Sequence, residues 1–154
     1  SARAVDLSLV ESDFQRRALS RLRRVPAGSV ISYQALAAAV GVPSGQRAIG
    51  NTVASNPIPI YVPCHRVIRS DGSLGNYGGG PERKLKLLRA EGFAVDVRRR
   101  MPAEAVYGHW SSRIYCRPTC TAVHRTDRRK WLIFADSERA RRFGMRACKL
   151  CRPA

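Results

Sequence analysis

Four of the five cysteines fall in the carboxy-terminal third as two close pairs, Cys116 with Cys120 and Cys148 with Cys151. The spacing is C-x3-C, then 27 residues, then C-x2-C. In a reducing compartment two such pairs read as the ligands of one structural zinc ion, Zn2+; two disulfides are the alternative. The constraint on folding is severe, because the segment that carries them, 107–154, has only about 48 residues. So short a segment buries too little apolar surface for a stable core of its own, and a metal would supply what burial cannot.

The compartment follows from the rest of the chain. The amino end is polar and charged, with no secretory pattern, and no apolar run approaches the length of a membrane span. The expectation is an intracellular protein, cytoplasmic or nuclear, with reduced thiols and no membrane contact. Twenty-eight Lys and Arg stand against 11 Asp and Glu, a net charge of +17. Arginines cluster at Arg98-Arg99-Arg100 and basic residues at Arg128-Arg129-Lys130. A polyanion, DNA or RNA, is the natural partner, although charge alone fits any soluble basic protein and phosphate contacts do not read bases.

The fifth cysteine stands apart in Pro63-Cys64-His65-Arg66-Val67, after the apolar run Ile58-Pro59-Ile60-Tyr61-Val62. A thiol becomes a good nucleophile when a base or positive charge favours its thiolate. Adjacency alone does not put His65 there, because neighbours on a strand point to opposite faces. A local bend and a third group that orients the ring are needed. Taken in isolation, Cys-His reads as a buried thiol beside a surface imidazole.

Local signals predict the elements. Ser12 and Gln15 form a capping pair that opens a helix to about Arg24. Val30-Ile31-Ser32 is extended and leads to a helix over 33–40 that Gly41 ends. Ser44 caps a third helix over 46–55, and Pro57 and Pro59 forbid its continuation. Two short helices joined by Gly41-Val42-Pro43-Ser44 suggest a helix-turn-helix, or else an ordinary helical hairpin. Arg66-Val67-Ile68 looks extended, Ser70 to Ser73 turns, and Pro81 opens a helix that stops at Gly92. Residues 96–106 read as a linker between a domain at 1–95 and one at 107–154. In the second, 107–115 looks extended, Trp131 to Phe134 forms a strand, and Ser137 caps a helix to Phe143.

Six further blocks surround the Pro-Cys-His-Arg run in order. They are Phe14-Gln15-Arg16, Ser32-Tyr33, Arg47-Ala48-Ile49-Gly50, Asn56-Pro57-Ile58-Pro59, Gly75-Asn76-Tyr77-Gly78-Gly79-Gly80 and Glu91-Gly92. Together they resemble the active-site domain of the O6-alkylguanine-DNA alkyltransferases. The two cysteine pairs, in Tyr115-Cys116-Arg117-Pro118-Thr119-Cys120 and Cys148-Lys149-Leu150-Cys151, resemble the zinc domain of Ada proteins. The fold class implied is α+β, a helix-turn-helix-containing alkyltransferase domain plus a small zinc-stabilised α+β domain.

The resemblance implies roles. Cys64 is the acceptor of an alkyl group from O6-alkylguanine, His65 its base through water, and Glu91 the partner of the charged ring. Tyr77 donates a proton to the leaving guanine and Asn56 bridges two backbone segments beside the site. Arg47 fills the gap left by a rotated nucleotide, and Tyr33 crowds the 3′ phosphate from a minor-groove docking. Cys116, Cys120, Cys148 and Cys151 hold one zinc ion, and Cys116 is the candidate second acceptor, from a methylphosphotriester. The partner is double-stranded DNA bearing alkylated guanine, the chain acts as a monomer, and no soluble cofactor is needed. Three departures stand out: no helical segment precedes the zinc unit, Val123 stands where the family has arginine, and the zinc unit follows the alkyltransferase unit. Cys64 argues for transfer; the rival reading is a non-catalytic damage sensor or DNA-binding regulator.

Overall fold

The computed structural model of the chain describes residues 12–95, 101–126 and 131–154. The first half of the expected linker, 96–100, and the Arg128-Arg129-Lys130 cluster lie outside the described residues. The architecture is mixed α+β. Helix α1, Asp13–Leu22, starts at Ser12, whose hydroxyl accepts a hydrogen bond from the Gln15 amide. Its stripe of Ala18, Leu19 and Leu22 is buried. Strand β1, Ser29–Ser32, runs directly into α2, Tyr33–Ala39, because the Ser32 hydroxyl caps the Ala35 amide at 2.9 Å. Helix α3, Gln46–Ala54, completes the helix-turn-helix pair.

Ser44 does not cap α3, contrary to expectation. Gly45 occupies the cap position, with no side-chain hydrogen bond to the helix. The turn is too tight for a cap of another kind, since a Cβ on Gly45 would sit 2.9 Å from the Val42 carbonyl oxygen. Further on, a 3-10 turn at Cys64–Arg66 replaces the expected extended start, and strand β2 is only Val67–Ile68. Helix α4, Pro81–Ala90, ends with Glu91 as its cap and Gly92 at φ +86°.

The stretch expected to be extended over 107–115 is a hairpin: β3, Val106–His109, and β4, Ile114–Cys116. The Arg113 amide closes the turn on the His109 carbonyl at 3.0 Å, with Arg113 at φ +60°. A short helix α5, Thr121–Arg125, and a strand β6, Arg146–Ala147, left no periodic signal in the sequence. Strand β5 is Trp131–Phe134, as expected. Helix α6, Ser137–Arg142, is capped by Asp136, not Ser137: the Asp136 carboxylate accepts from the Arg139 amide at 2.8 Å.

Among the described residues the six strands form one sheet, in the order β2-β1-β5-β3-β4-β6. The join between the two cysteine-defined halves is the antiparallel pair β1–β5, with Ser29 opposite Phe134 and Val30 opposite Ile133. The Ala135 amide extends it to the Gly28 carbonyl at 2.9 Å. Alternation along the strands builds two layers. Ile31, Val67, Leu132 and Phe134 join the core with α1, α2 and α3. Val30 and Ile68 face the other way, onto Leu74, Leu88 of α4 and Phe93, with Ile133 packed against them. The first core also takes in Val106, Tyr115, Ala140 and Met145, so the second segment buries apolar surface against the first.

Phe134 is fully buried at this seam. Phe134→Ala is expected to lower unfolding free energy by about 3–5 kcal/mol, read from denaturant melts followed by circular dichroism.

Candidate active site and metal centre

A cleft of about 1170 Å³ opens on the first segment. Tyr33 at the start of α2, Arg47 in the first turn of α3, Asn56 just past α3, Cys64 and Tyr77 all line it. Gly78 and Gly79 of the glycine-rich loop complete the wall. A Cβ on Gly79 would lie 3.0 Å from the Tyr77 ring, so the bare backbone lets that ring fold in. Arg47 is exposed.

The 3-10 turn is the bend that the Cys-His pair required. It breaks strand alternation, so Cys64 and His65 are both buried, at 6% and 1% exposure. His65 is therefore no surface imidazole. Its Nε2 lies 2.7 Å from Glu91 Oε1, and its Nδ1 is buried without a protein partner. The ring is thus tied at one nitrogen and open at the other. Asn56 does link two segments: its Nδ2 donates to the Val62 carbonyl at 2.8 Å, and its Oδ1 accepts from the Ile58 amide at 3.0 Å. Between those points Ile60 holds φ +76°, a left-handed conformation costly for a β-branched residue. The Cys64 loop is thus pinned at both ends around a strained residue.

Two side chains escaped the sequence reading. Arg66 donates Nε to Glu91 Oε2 at 2.9 Å, Nη2 to Glu91 Oε1 at 2.6 Å and Nη1 to the Val25 carbonyl at 2.6 Å. It is the fourth residue of the Pro-Cys-His-Arg run, which was the only available signal. Lys84 is completely buried in α4, with Nζ bonded to the Val67 carbonyl at 2.5 Å and to the Leu74 carbonyl. Its place one turn before Leu88, on the inward stripe, marked it in the sequence. Burial lowers the ammonium to about 8, an effect partly offset by the nearby Cys64. Burial also raises the Tyr77 phenol, with help from Cys64.

The second site is a four-sulfur cluster. The Sγ atoms of Cys116, Cys120, Cys148 and Cys151 all lie within 4.8 Å of one another. Cys116 ends β4, Cys120 precedes α5, and the other two follow β6. Four thiols gathered so closely suit a tetrahedral thiophilic ion. Burial and the neighbouring Cys148 push the Cys116 thiol up. Burial also pushes on Cys148, but hydrogen bonds from the Cys151 and Leu150 amides outweigh it and bring that thiol to about 7. A cation would draw all four towards thiolate. A second cleft, about 470 Å³, borders Cys116 and Cys148 and includes Arg146 and Lys149.

Residues 13–93 match the family model for 6-O-methylguanine DNA methyltransferase, DNA binding domain. The chain belongs to that family. Residues 94–154 match the metal binding domain of Ada. A rat methylated-DNA–protein-cysteine methyltransferase is 51% identical over 85 residues, 54% of this chain and 41% of that protein. The Mycobacterium leprae counterpart is 47% identical over 92 residues, 60% of this chain and 56% of that protein. The crystal structure of Mycobacterium tuberculosis OGT in complex with DNA superposes with a TM-score of 0.52 at 46% identity, over 53% of this chain and 49% of that one. The chain spans about half the length of these relatives. Among the described residues no helix is long and apolar enough to cross a membrane.

Glu91 supplies a pH signature. Burial works to raise its carboxyl, but the hydrogen bonds and charges of His65 and Arg66 hold it at about 2, against an ordinary 4.5. The folded value lies below the unfolded one, so the stabilisation is complete above about pH 4.5 and drains away as pH falls towards 2. At full strength it is on the order of 3 kcal/mol. The stability gap between wild type and Glu91→Gln in urea melts is expected to be largest near neutrality and to shrink to about a quarter by pH 2.5.

Proposed function

We propose that this chain repairs DNA by moving the alkyl group of an O6-alkylguanine irreversibly onto Cys64. The observation that carries the reading is the cleft that holds Cys64 at its wall, with His65 behind it and tied to Glu91. A guanine stacked in a duplex hides its O6 substituent, so the nucleotide must rotate into the cleft. Arg47, exposed on the cleft rim, enters the stack in its place, and Tyr33 presses on the adjoining phosphate.

His65 takes the Cys64 proton through Nδ1 by way of a water molecule, and Glu91 stabilises the resulting imidazolium. The Cys64 sulfur attacks the alkyl carbon. The carbon–O6 bond breaks, its electron pair stays with guanine, and Tyr77 supplies the proton that neutralises the leaving base. The product is a thioether at Cys64, which no group in the site can reverse, so each molecule acts once and needs no soluble cofactor. Double-stranded DNA is the partner, and the +17 charge supplies sequence-independent attraction to it. The residues at 13–93 carry this activity.

The metal is one zinc ion bound by Cys116, Cys120, Cys148 and Cys151. When bound, it supplies a fixed crosslink among β4, α5 and the tail that follows β6. A second reading has support from the cleft beside the cluster. Cys116 opens onto it, and Arg146 and Lys149 suit a phosphate. Cys116 there would take a methyl group from a methylphosphotriester, its sulfur bonding the carbon as the phosphate oxygen leaves.

Three measurements test these proposals. Mixed with duplex DNA bearing O6-methylguanine and methylphosphotriesters, the chain is expected to gain one methyl on the Cys64 peptide in mass spectrometry. A methyl on the Cys116 peptide would establish the second acceptor. His65→Gln is expected to slow the single turnover by about 10²-fold or more. DNA binding with no methyl on either peptide would favour the damage-sensor reading. Native mass spectrometry is expected to find one zinc per chain, lost in Cys148→Ser.

A further inference from the structure

Arg139 belongs to the metal-bearing segment, yet its side chain reaches the far side of the sheet seam. There it fills a notch between two glycines of the other segment, Gly28 and Gly92. A methyl group built on Gly28 would fall on Arg139 Cδ and Nε, and one on Gly92 would fall on the guanidinium. Both glycines hold positive φ, +81° and +86°. Gly92 follows Glu91, and Gly28 sits in the turn closed by the Ser29 amide on the Pro26 carbonyl. The base of the notch also touches the Glu91 backbone, since the Cβ position on Gly28 is 3.2 Å from the Glu91 carbonyl oxygen.

The wedge is itself held firmly. Asp136 accepts from the Arg139 amide at 2.8 Å and forms an ion pair with its guanidinium. The adjoining Ala135 amide bonds the Gly28 carbonyl at 2.9 Å. So α6 delivers an arginine, paired with Asp136, to the corner from which the Glu91 side chain departs. That carboxylate then meets His65 and Arg66, and Arg66 ties back to the carbonyl of Val25, the residue just before that turn. The two backbone pieces that Arg139 packs against, at Gly28 and Gly92, adjoin the residues that hold the His65 partner.

We infer that Arg139 is a positioning residue for alkyl transfer, and that the metal-bearing segment acts through it as part of the Cys64 site. It rests on the alkyltransferase reading above. Arg139 touches neither the thiol nor the cleft lining. It acts by packing against both the Pro26–Ser29 turn and the Glu91–Gly92 corner, and so sets the approach of Glu91 to His65. Misplacement of a catalytic group by about an ångström costs as much as 10²-fold in rate, so loss of the wedge matters even where the fold survives.

The experiment uses the full, zinc-loaded chain. Arg139→Ala, Arg139→Lys and Arg21→Ala are compared with wild type. Arg21 is a control at the same interface, where its guanidinium stacks on Trp110 at 3.9 Å, away from the notch. Two readouts are taken: the single-turnover rate of methyl transfer from O6-methylguanine DNA, and the pH midpoint of iodoacetamide labelling on the Cys64 peptide. The groups that face the thiol and its base, namely His65, Glu91, Arg66, Arg69, Lys84, Tyr33 and Tyr77, stay unchanged in every variant.

Arg139→Ala is expected to bind zinc normally, to transfer about tenfold more slowly and to move the labelling midpoint upward. Arg139→Lys should recover most of both, and Arg21→Ala should leave the midpoint where it is. An unmoved midpoint in Arg139→Ala would overturn the inference, even if the rate fell in step with stability. If that variant does not fold, Asp136→Asn replaces it: it keeps the helix cap while freeing the guanidinium, and an unmoved midpoint there overturns the inference equally. If wild type transfers no methyl, the alkyltransferase reading fails, and the labelling midpoint still tests the wedge.

Discussion

Backbone pairing between β1 and β5 is the constraint on which the rest of the molecule depends. The first segment, with two strands, has too few to build a sheet of its own. Strands β1 and β2 alone are a short parallel pair, a weak arrangement when isolated. Adding β5 places Leu132 and Phe134 beneath the helices of the first segment and Ile133 towards α4. The same pairing gives the metal-bearing segment a shared core and relieves it of standing on its sulfur cluster alone. The metal ligands thus organise only the outer edge, where β4, α5 and the chain after β6 meet.

On that base, one carboxylate ties the candidate site together. Glu91 closes α4, where a negative charge gains nothing from the helix dipole. Its position is sustained by His65 on one side and the two-point grip of Arg66 on the other. Arg66 reaches on to Val25, so the histidine, the loop after α1 and the end of α4 are held as one unit. The tie at His65 Nε2 leaves Nδ1 as the nitrogen without a protein partner. Opposite this network Asn56 clamps the strained segment around Ile60, and together the two hold Cys64 on the cleft wall.

Much of the candidate site was legible in the sequence. Tyr33, Arg47, Asn56, Cys64 and Tyr77 were named from ordered blocks, and they share one cleft. The four ligand cysteines were named from spacing alone, and their sulfurs converge. The helices of the first segment followed from caps and glycine stops, because those signals act within a few residues. Errors arose where local signals compete. Ser44 and Ser137 looked like caps, but Gly45 and Asp136 hold those positions once the turns close. The hairpin at 106–116 was missed because its turn relies on Arg113 in a left-handed conformation, which an arginine does not advertise.

By itself the sequence determined the chemistry: which thiol stands beside a histidine, which four can gather a metal ion, and where the first segment's helices start and stop. Those are matters of residue type and short-range geometry. Only the tertiary structure decided that β1 and β5 share a sheet, that Lys84 is buried beneath the site, and that Arg139 wedges into a glycine notch behind Glu91. Such contacts join residues far apart in the chain. Their free energy comes from apolar surface and backbone hydrogen bonds matched across the seam, and that match exists only when the two surfaces meet.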